Sequence, residues 1–393
     1  RKRCSELRWP RTGRVRALAW RMGMKTGKLP VNAMKRSVFG QIRTKREEVS
    51  SGAGAGEDCA IFSLCADDRT AVCVQEAVLR VAPKESAGQP GREDSGPWSG
   101  EAAMTMADLI VKCANNLAAG GAEPVAAMVA LLLPKGTEEF QVRALMSQAE
   151  EKCAELHMEI AGGQTRITAA AAAPLAVVTG YGRAAEGEDH TMRAAAPGQD
   201  IVLSKWIGLQ GTALLAGRFR EKLLARYPAW LVEEAAGFGR YLSVLPEAGA
   251  ARRAGVCAMH DASEGGILGA LWELAQGAGL GMEADLRALP LRQETVEVCE
   301  CCGANPYELL CGGGLIMTAW DGHSLAVALR EARIPATVIG RLTAGNDRIL
   351  RCGDEIRYLD RPRRDAIYTA RQLDLQYTPT ADRQPGTSLV ALL

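Results

Sequence analysis

Apolar and polar residues change period several times along the chain, and each change marks an element. From Lys35 to Glu48 charged and apolar residues recur at helical spacing, which predicts a helix running into the glycine loop at 50–58. Two β-like apolar runs follow, Cys59 to Cys65 and Ala71 to Val81, and the polar turn Ala66-Asp67-Asp68-Arg69 between them predicts a hairpin. Residues 82–101, rich in Gly, Pro, Ser and charge, predict a long loop of the lid or ordered-on-binding kind. Met104 to Gly120 sets Met106, Leu109, Ile110, Cys113 and Leu117 on one helical face, closes at Gly120-Gly121, and leaves Asp108, Asn115 and Asn116 as polar exceptions.

The pattern then alternates. A strand over Val125 to Leu133, a helix over Glu138 to Leu156, a strand over Glu159 to Ala161 that meets Gly162-Gly163-Gln164-Thr165, and a strand over Leu175 to Gly180 predict an α/β unit. Polar residues 183–198 suggest a boundary. Beyond it come a strand (Asp200 to Ser204), helices to about Val244, and a strand (Val256 to His260). The loop Asp261 to Gly266 then opens a helix (Ile267 to Gly277), followed by strands over Gly314 to Thr318 and Thr337 to Leu342. The division expected is a leader at 1–23, an N-terminal domain at 24–190, a C-terminal domain at 191–350 and a tail at 351–393.

Composition narrows the class. At 393 residues, 47% hydrophobic and 24% charged, the chain reads as an ordinary globular protein, and its longest apolar runs fall short of the ~20 residues a spanning helix needs. Residues 1–23 hold eight Lys or Arg against Glu6, so the formal +1 hides a net-acidic body. That argues against a nucleic-acid-binding domain. The leader itself admits RNA, membrane or organelle-targeting readings. Pro10, two Trp and the lack of a long apolar core favour a disordered extension or sequence upstream of the true start, with Met22 and Met24 where the body begins. Twelve cysteines are too dilute for a disulfide scaffold and suggest reduced thiols in a cytoplasm. Cys299, Cys301, Cys302 and Cys311 have no standard metal-ligand spacing and read as structural.

Two loops carry candidate chemistry. Gly52, Gly54 and Gly56 before Glu57-Asp58 let backbone N–H groups approach an anion while the acids reach a metal, although a flexible turn explains the loop equally well. It is neither of the common nucleotide fingerprints. Asp261 at a strand end, then Ser263, Gly265 and Gly266 opening a helix, suit phosphate and metal; helix capping by Asp261 or Ser263 is the competing reading. His260 is a candidate base or a strand-end packing residue. Lys205 and Arg341 are candidate phosphate contacts or solvated charges, and Cys59 is a reactive thiol or a buried strand cysteine.

Taken in order, Gly56-Glu57-Asp58-Cys59-Ala60, Asn115 to Pro124, Gly162-Gly163-Gln164-Thr165, Trp206 to Thr212 and His260 to Gly266 resemble the landmarks of the aminoimidazole-ribonucleotide (AIR) synthase-related, PurM-like superfamily, whose nearest branch here is the hydrogenase maturation factor HypE. The resemblance spans about Met24 to Asp347. It implies an α/β (α+β) two-domain fold in which N-terminal domains pair into a dimeric β-barrel flanked by α/β C-terminal domains, with a homodimer and a maturation-partner protein as the implied assembly. It also implies ATP bound with magnesium and transfer of the terminal phosphate to an amide or carbonyl oxygen, or else a nucleotide-binding sensor or scaffold without turnover. The implied metal ligands are Asp58, Glu76, Asn116 and Asp261, with Asp58 and Asp261 catalytic; Gly52, Gly54, Gly56, Glu57, Gly162, Gly163, Thr165, Ser263, Gly265 and Gly266 contact the cofactor. Two positions depart from the pattern: Glu76 stands for an Asp, and Asn116 replaces an acid. The branch's carrier cysteine near the C-terminus has no counterpart, the last cysteine being Cys352.

Overall fold

The computed structural model describes residues 27–28, 31–51, 61–62, 68–81, 103–185, 190–360 and 364–370. The leader, the lid-like segment and the glycine loop with Gly52, Gly54, Gly56, Glu57, Asp58 and Cys59 lie outside the described residues.

The N-terminal domain begins with β1 (Gly27–Lys28), the short α1 (Val31–Met34) continuing into a π-helical turn (Lys35–Phe39), β2 (Val49–Ser51) and β3 (Ile61–Phe62). It continues through β4 (Asp68–Val78), α2 (Met106–Ala119), β5 (Glu123–Leu133), α3 (Glu139–Glu155), β6 (Glu159–Ile167) and β7 (Leu175–Ala185). Its sheet runs β1-β6-β5-β7-β4, antiparallel except for β5–β6, which α3 joins as a parallel crossover. Leu109, Ile110 and Cys113 of α2 and Leu145 and Met146 of α3 pack on Val129, Leu131, Ile160 and Val178 of one sheet face. A Thr105–Asp108 capping box fixes the start of α2, satisfying two backbone donors reciprocally.

The C-terminal domain contributes β8 (Asp200–Ser204), α4 (Leu209–Arg218), α5 (Arg220–Arg226), α6 (Ala229–Ala236), α7 (Leu245–Arg253), β9 (Ala258–Ala262) and α8 (Gly266–Ala278). After these come β10 (Gly281–Asp285), α9 (Gln293–Cys302), β11 (Gly314–Ala319), α10 (Gly322–Glu331), β12 (Ala336–Thr343), β13 (Arg348–Cys352) and β14 (Glu355–Tyr358). The sheet order is β14-β13-β10-β12-β8-β11-β9, with β10–β13 its parallel pair. Both faces are covered: Ile201 and Leu203 enter one apolar core, Val202 and Met317 the other. The two-domain mixed α/β architecture expected from the resemblance is present.

Several local expectations change. The charged residues at 35–48 do not make one helix. Glu150 Oε1 accepts from the backbone N–H groups of Arg43 and Thr44, and Glu159 takes Lys45 Nζ at 2.6 Å, so these two acids tie an irregular segment to α3 and β6. The predicted hairpin does not form either, because β3 pairs with β2 while β4 pairs with β7. Part of the expected tail is structured: β13 extends to Cys352, β14 follows, and Ala366, Ile367 and Ala370 join an apolar cluster with Leu215, Val232 and Cys299. Cys299 and Cys302 belong to that cluster and Cys311 to a different core, consistent with packing roles for these thiols.

Candidate active site

Helix α2 turns Met106, Leu109, Ile110, Cys113 and Leu117 to the sheet, so Asp108, Lys112 and Asn115, four and three residues apart, look the other way. They meet the C-terminal domain. Together with Gln210, Leu242, Asp261, Gly312 and Gly313 they line a narrow cleft with a cavity volume of about 10 Å³. That is room for about one water molecule, so the cleft as it stands admits solvent to Asp261 but not a nucleotide.

The cleft is braced from both sides. Asn115, buried, donates through Nδ2 to Leu242 O at 2.7 Å and accepts from Val244 N at 2.9 Å, imitating a strand partner for that segment. Lys205 holds the same segment from the other domain, donating to Tyr241 O at 2.8 Å and Ser243 O at 2.7 Å and pairing with Glu247 at 2.6 Å. Burial pulls its ammonium below the usual range, against the pull of Glu247. Lys205 is therefore a buried brace and not a free phosphate contact. Arg341 is likewise engaged, its Nε and Nη2 reaching Asp200 Oδ1 at 3.1 and 3.0 Å.

Asp261 is the exception in this well-paired surrounding. It is 7% exposed, and its Oδ1 has no hydrogen-bond partner. Burial pushes its carboxyl from 3.8 up to about 7, with the charges of His260, Lys112 and Lys205 opposing the shift. A carboxyl half-ionised near neutrality inside a cleft is matched to proton transfer. His260, the next residue on β9, points elsewhere and meets Glu273 of α8 at 3.1 Å.

The start of α8 separates the two readings of the Asp261–Gly266 loop. Neither Asp261 nor Ser263 caps the helix; Gly265 is the N-cap residue and makes no side-chain cap bond. Gly266 has φ +65, and a Cβ there would stand 2.4 Å from Tyr307 O, so glycine is required by the loop's packing. The Gly265 N–H is already used: Asp365 Oδ2 accepts it at 2.7 Å, while Oδ1 accepts from Leu310 N at 3.2 Å and Ile367 N at 2.8 Å. A carboxylate of the chain's own C-terminal region thus occupies the position read from sequence as a phosphate contact. Ser263 is half-buried, and its carbonyl accepts from Cys311 N.

The remaining candidates are dispersed. Gly162, Gly163 and Thr165 lie within β6 rather than in a loop after it; Gly163, at φ +149, has a Cβ position 1.9 Å from Val129 O, and Thr165 is buried. Glu76 is exposed on β4, sharing the face of Val72 and Val74 away from α2, whereas Asp261 lies beyond α2. Asn116 is half-buried in the last turn of α2. Asp261 is thus joined by Asp108, Lys112 and Asn115, and not by Glu76. Among the described residues no three His, Cys, Asp or Glu side chains are gathered as a metal ion would need. These residues by themselves do not fit magnesium. Sequence reasoning missed Lys112 and Gln210 as cleft residues, and the run Gly312-Gly313-Gly314 before β11 was the available signal for the cleft's floor.

Comparison with known proteins agrees with this architecture. Residues 56–184 match the N-terminal domain of AIR synthase related protein and residues 196–353 its C-terminal domain. The carbamoyl dehydratase HypE of Rhodobacter capsulatus is 29% identical over 236 residues, covering 58% of this chain and 67% of that one. The crystal structure of E. coli HypE, a hydrogenase maturation protein, superposes with a TM-score of 0.67 at 19% identity, covering 86% of this chain and 98% of the other. A HypE structure in complex with ATP gives 0.64 at 16% identity, covering 86% and 96%. With both domain families matched in order over most of its length, the chain belongs to the AIR synthase related family.

Proposed function

We propose that the protein is an ATP-dependent enzyme that activates an amide or carbonyl oxygen by phosphoryl transfer, in a HypE-like hydrogenase-maturation role. The observation that carries the reading is Asp261: a buried carboxyl with an unsatisfied oxygen, poised near neutrality, in the narrow cleft where the two domains meet. In such a reaction the terminal phosphate of ATP joins the substrate's carbonyl oxygen, ADP departs, and the oxygen then leaves as phosphate while the amide nitrogen gives up its protons. Asp261 accepts one of them, and Lys112 supplies compensating positive charge across the cleft.

The nucleotide lies between the two chains of a homodimer, on the glycine loop 52–58 of one of them, where Asp58 and Glu76 would hold magnesium, and its terminal phosphate is delivered to the substrate across that interface. Gly162, Gly163, Thr165, Ser263, Gly265 and Gly266 then shape the walls rather than grip phosphate, for the packing reasons above. The apolar outer face of β4, where Val72 and Val74 are more than half exposed, supports pairing of two chains into a homodimer. A maturation-partner protein supplies the substrate, and the cytoplasm is the compartment; among the described residues no helix is long and apolar enough to cross a membrane.

Calorimetric titration with ATP, with and without magnesium, tests the reading. Asp58→Ala loses metal-dependent binding, whereas Asp261→Asn keeps binding and loses phosphate release. A folded chain that takes up no ATP overturns the proposal. One observation favours the sensor or scaffold alternative: Asn116 places a neutral amide where the family pattern has an acid. ATP binding with no phosphate release under any condition would select it.

A further inference from the structure

Two thiols that the proposed chemistry does not use face each other between the edge strand of the first sheet and the helix behind it. Cys73 of β4 and Cys113 of α2 have their Sγ atoms 3.5 Å apart, and Cys73 Sγ also lies 3.3 Å from Cys113 O. The strand beside them is cut away to admit both sulfurs. Gly180 of β7 pairs with Cys73, and a Cβ on it would come within 2.5 Å of Cys113 Sγ and 3.3 Å of Cys73 Sγ. Neither cysteine is held apart from the other by an intervening side chain.

We propose that Cys73 and Cys113 form an intramolecular thiol–disulfide site whose co-reactant is a small-molecule disulfide of the glutathione class. Cys73 is the entry point. It is half-buried on an edge strand, while Cys113 is fully buried. The hydrogen bond from the Cys113 thiol holds Cys73 below the usual thiol range, and the same contact together with burial drives Cys113 far up. The Cys73 thiolate attacks one sulfur of oxidised glutathione and releases one glutathione thiolate, giving a mixed disulfide at Cys73. The Cys113 sulfur then displaces the second glutathione, its proton passing to the departing thiolate. Two protein thiols are oxidised to one disulfide and one glutathione disulfide is reduced to two thiols. Closure needs the sulfurs to approach from 3.5 Å to about 2.05 Å, a movement within reach of side-chain rotation. The bond pins α2 to β4, and the opposite face of α2 carries Asp108, Lys112 and Asn115.

The test is independent of nucleotide chemistry. The full chain is equilibrated in glutathione buffers of increasing oxidised fraction, free thiols are blocked with N-ethylmaleimide, and the digest is mapped by mass spectrometry. The expected product is a peptide pair joining Cys73 to Cys113, two hydrogens lighter than the sum of its thiols, with a Tm several degrees above the reduced chain that reverts under dithiothreitol. Cys73→Ser removes the linked pair and the Tm shift while leaving the reduced chain folded; Cys113→Ala serves the same end should the serine prove disruptive. Recovery of both cysteines as maleimide adducts at every ratio, a mixed disulfide that never resolves, or linkage of either thiol to a different cysteine overturns the proposal.

Discussion

The two sheets solve the problem of burial differently. In the seven-stranded sheet β8 and β11 are buried at every position, because helices cover both faces and feed two separate cores. In the five-stranded sheet β4 alternates, and its outer face leaves Val72 at 57% and Val74 at 55% exposed. The first arrangement is complete within one chain, whereas the second leaves apolar side chains in contact with water, the face on which the proposed homodimer would form. The cleft with Asp261 lies where the two domains meet, on the covered side of the incomplete sheet.

The largest expected effect tests that contrast with one pair of substitutions. Val202→Asp buries a carboxyl among apolar side chains on the covered sheet and costs at least about 5 kcal/mol, comparable to the whole stability of many domains. Urea unfolding should find no cooperative native state. Val74→Asp makes the same chemical change on the bare face and should leave the fold intact while sedimentation reports a monomer. A Val74→Asp chain that unfolds like Val202→Asp, or one that sediments as the unsubstituted chain does, erases the distinction.

Next is the pH dependence of Asp261. Its carboxyl is raised on folding, so its contribution is fully present below about pH 4 and is lost as pH rises through about 7. The shift from 3.8 to about 7 sets an upper bound of about 4 kcal/mol. Asp261→Asn should be the more stable protein at pH 8 and lose this advantage toward pH 4. Parallel stability–pH curves for the two proteins would show that the carboxyl is not raised.

Smaller effects are expected at the braces. Asn115→Ala strands Leu242 O and Val244 N in a buried seam and should cost at least about 2 kcal/mol, judged from about 1–3 kcal/mol for each unsatisfied group. Hydrogen exchange at the Val244 amide should accelerate. Asp365→Ala releases three backbone donors, of Gly265, Leu310 and Ile367, and at least about 2 kcal/mol should be lost in thermal unfolding from the two that are buried, Leu310 and Ile367. An unchanged Tm would mean that water replaces the carboxylate without loss.

Much of this fold was legible because apolar periodicity reports burial directly. The face of α2 and the continuous run of β5 were read correctly, since local pattern and tertiary packing agree there. The failures lie where long-range pairing decides. Residues 35–48 have charges at helical spacing, yet Glu150 and Glu159, more than a hundred residues away, claim them. No local signal tells β3 to choose β2 over β4. Asp365 sits in a weakly patterned, Arg-rich stretch, and only the folded chain brings it to Gly265. Asp261 was legible as a strand-end acid before glycines; its loss of partners was not, because desolvation is a property of the assembled cleft. Lys112 was passed over because a helix lysine is ordinarily solvated.

The most direct test of the central claim is phosphate release from ATP by the full chain, supplied with a primary amide or carbamoyl donor, compared with Asp261→Asn across pH 5–9. The expected rate rises with pH through a pKa of about 7 and falls at least about a hundredfold in the variant, with ATP affinity unchanged. Equal rates and identical pH profiles in the two proteins would contradict it.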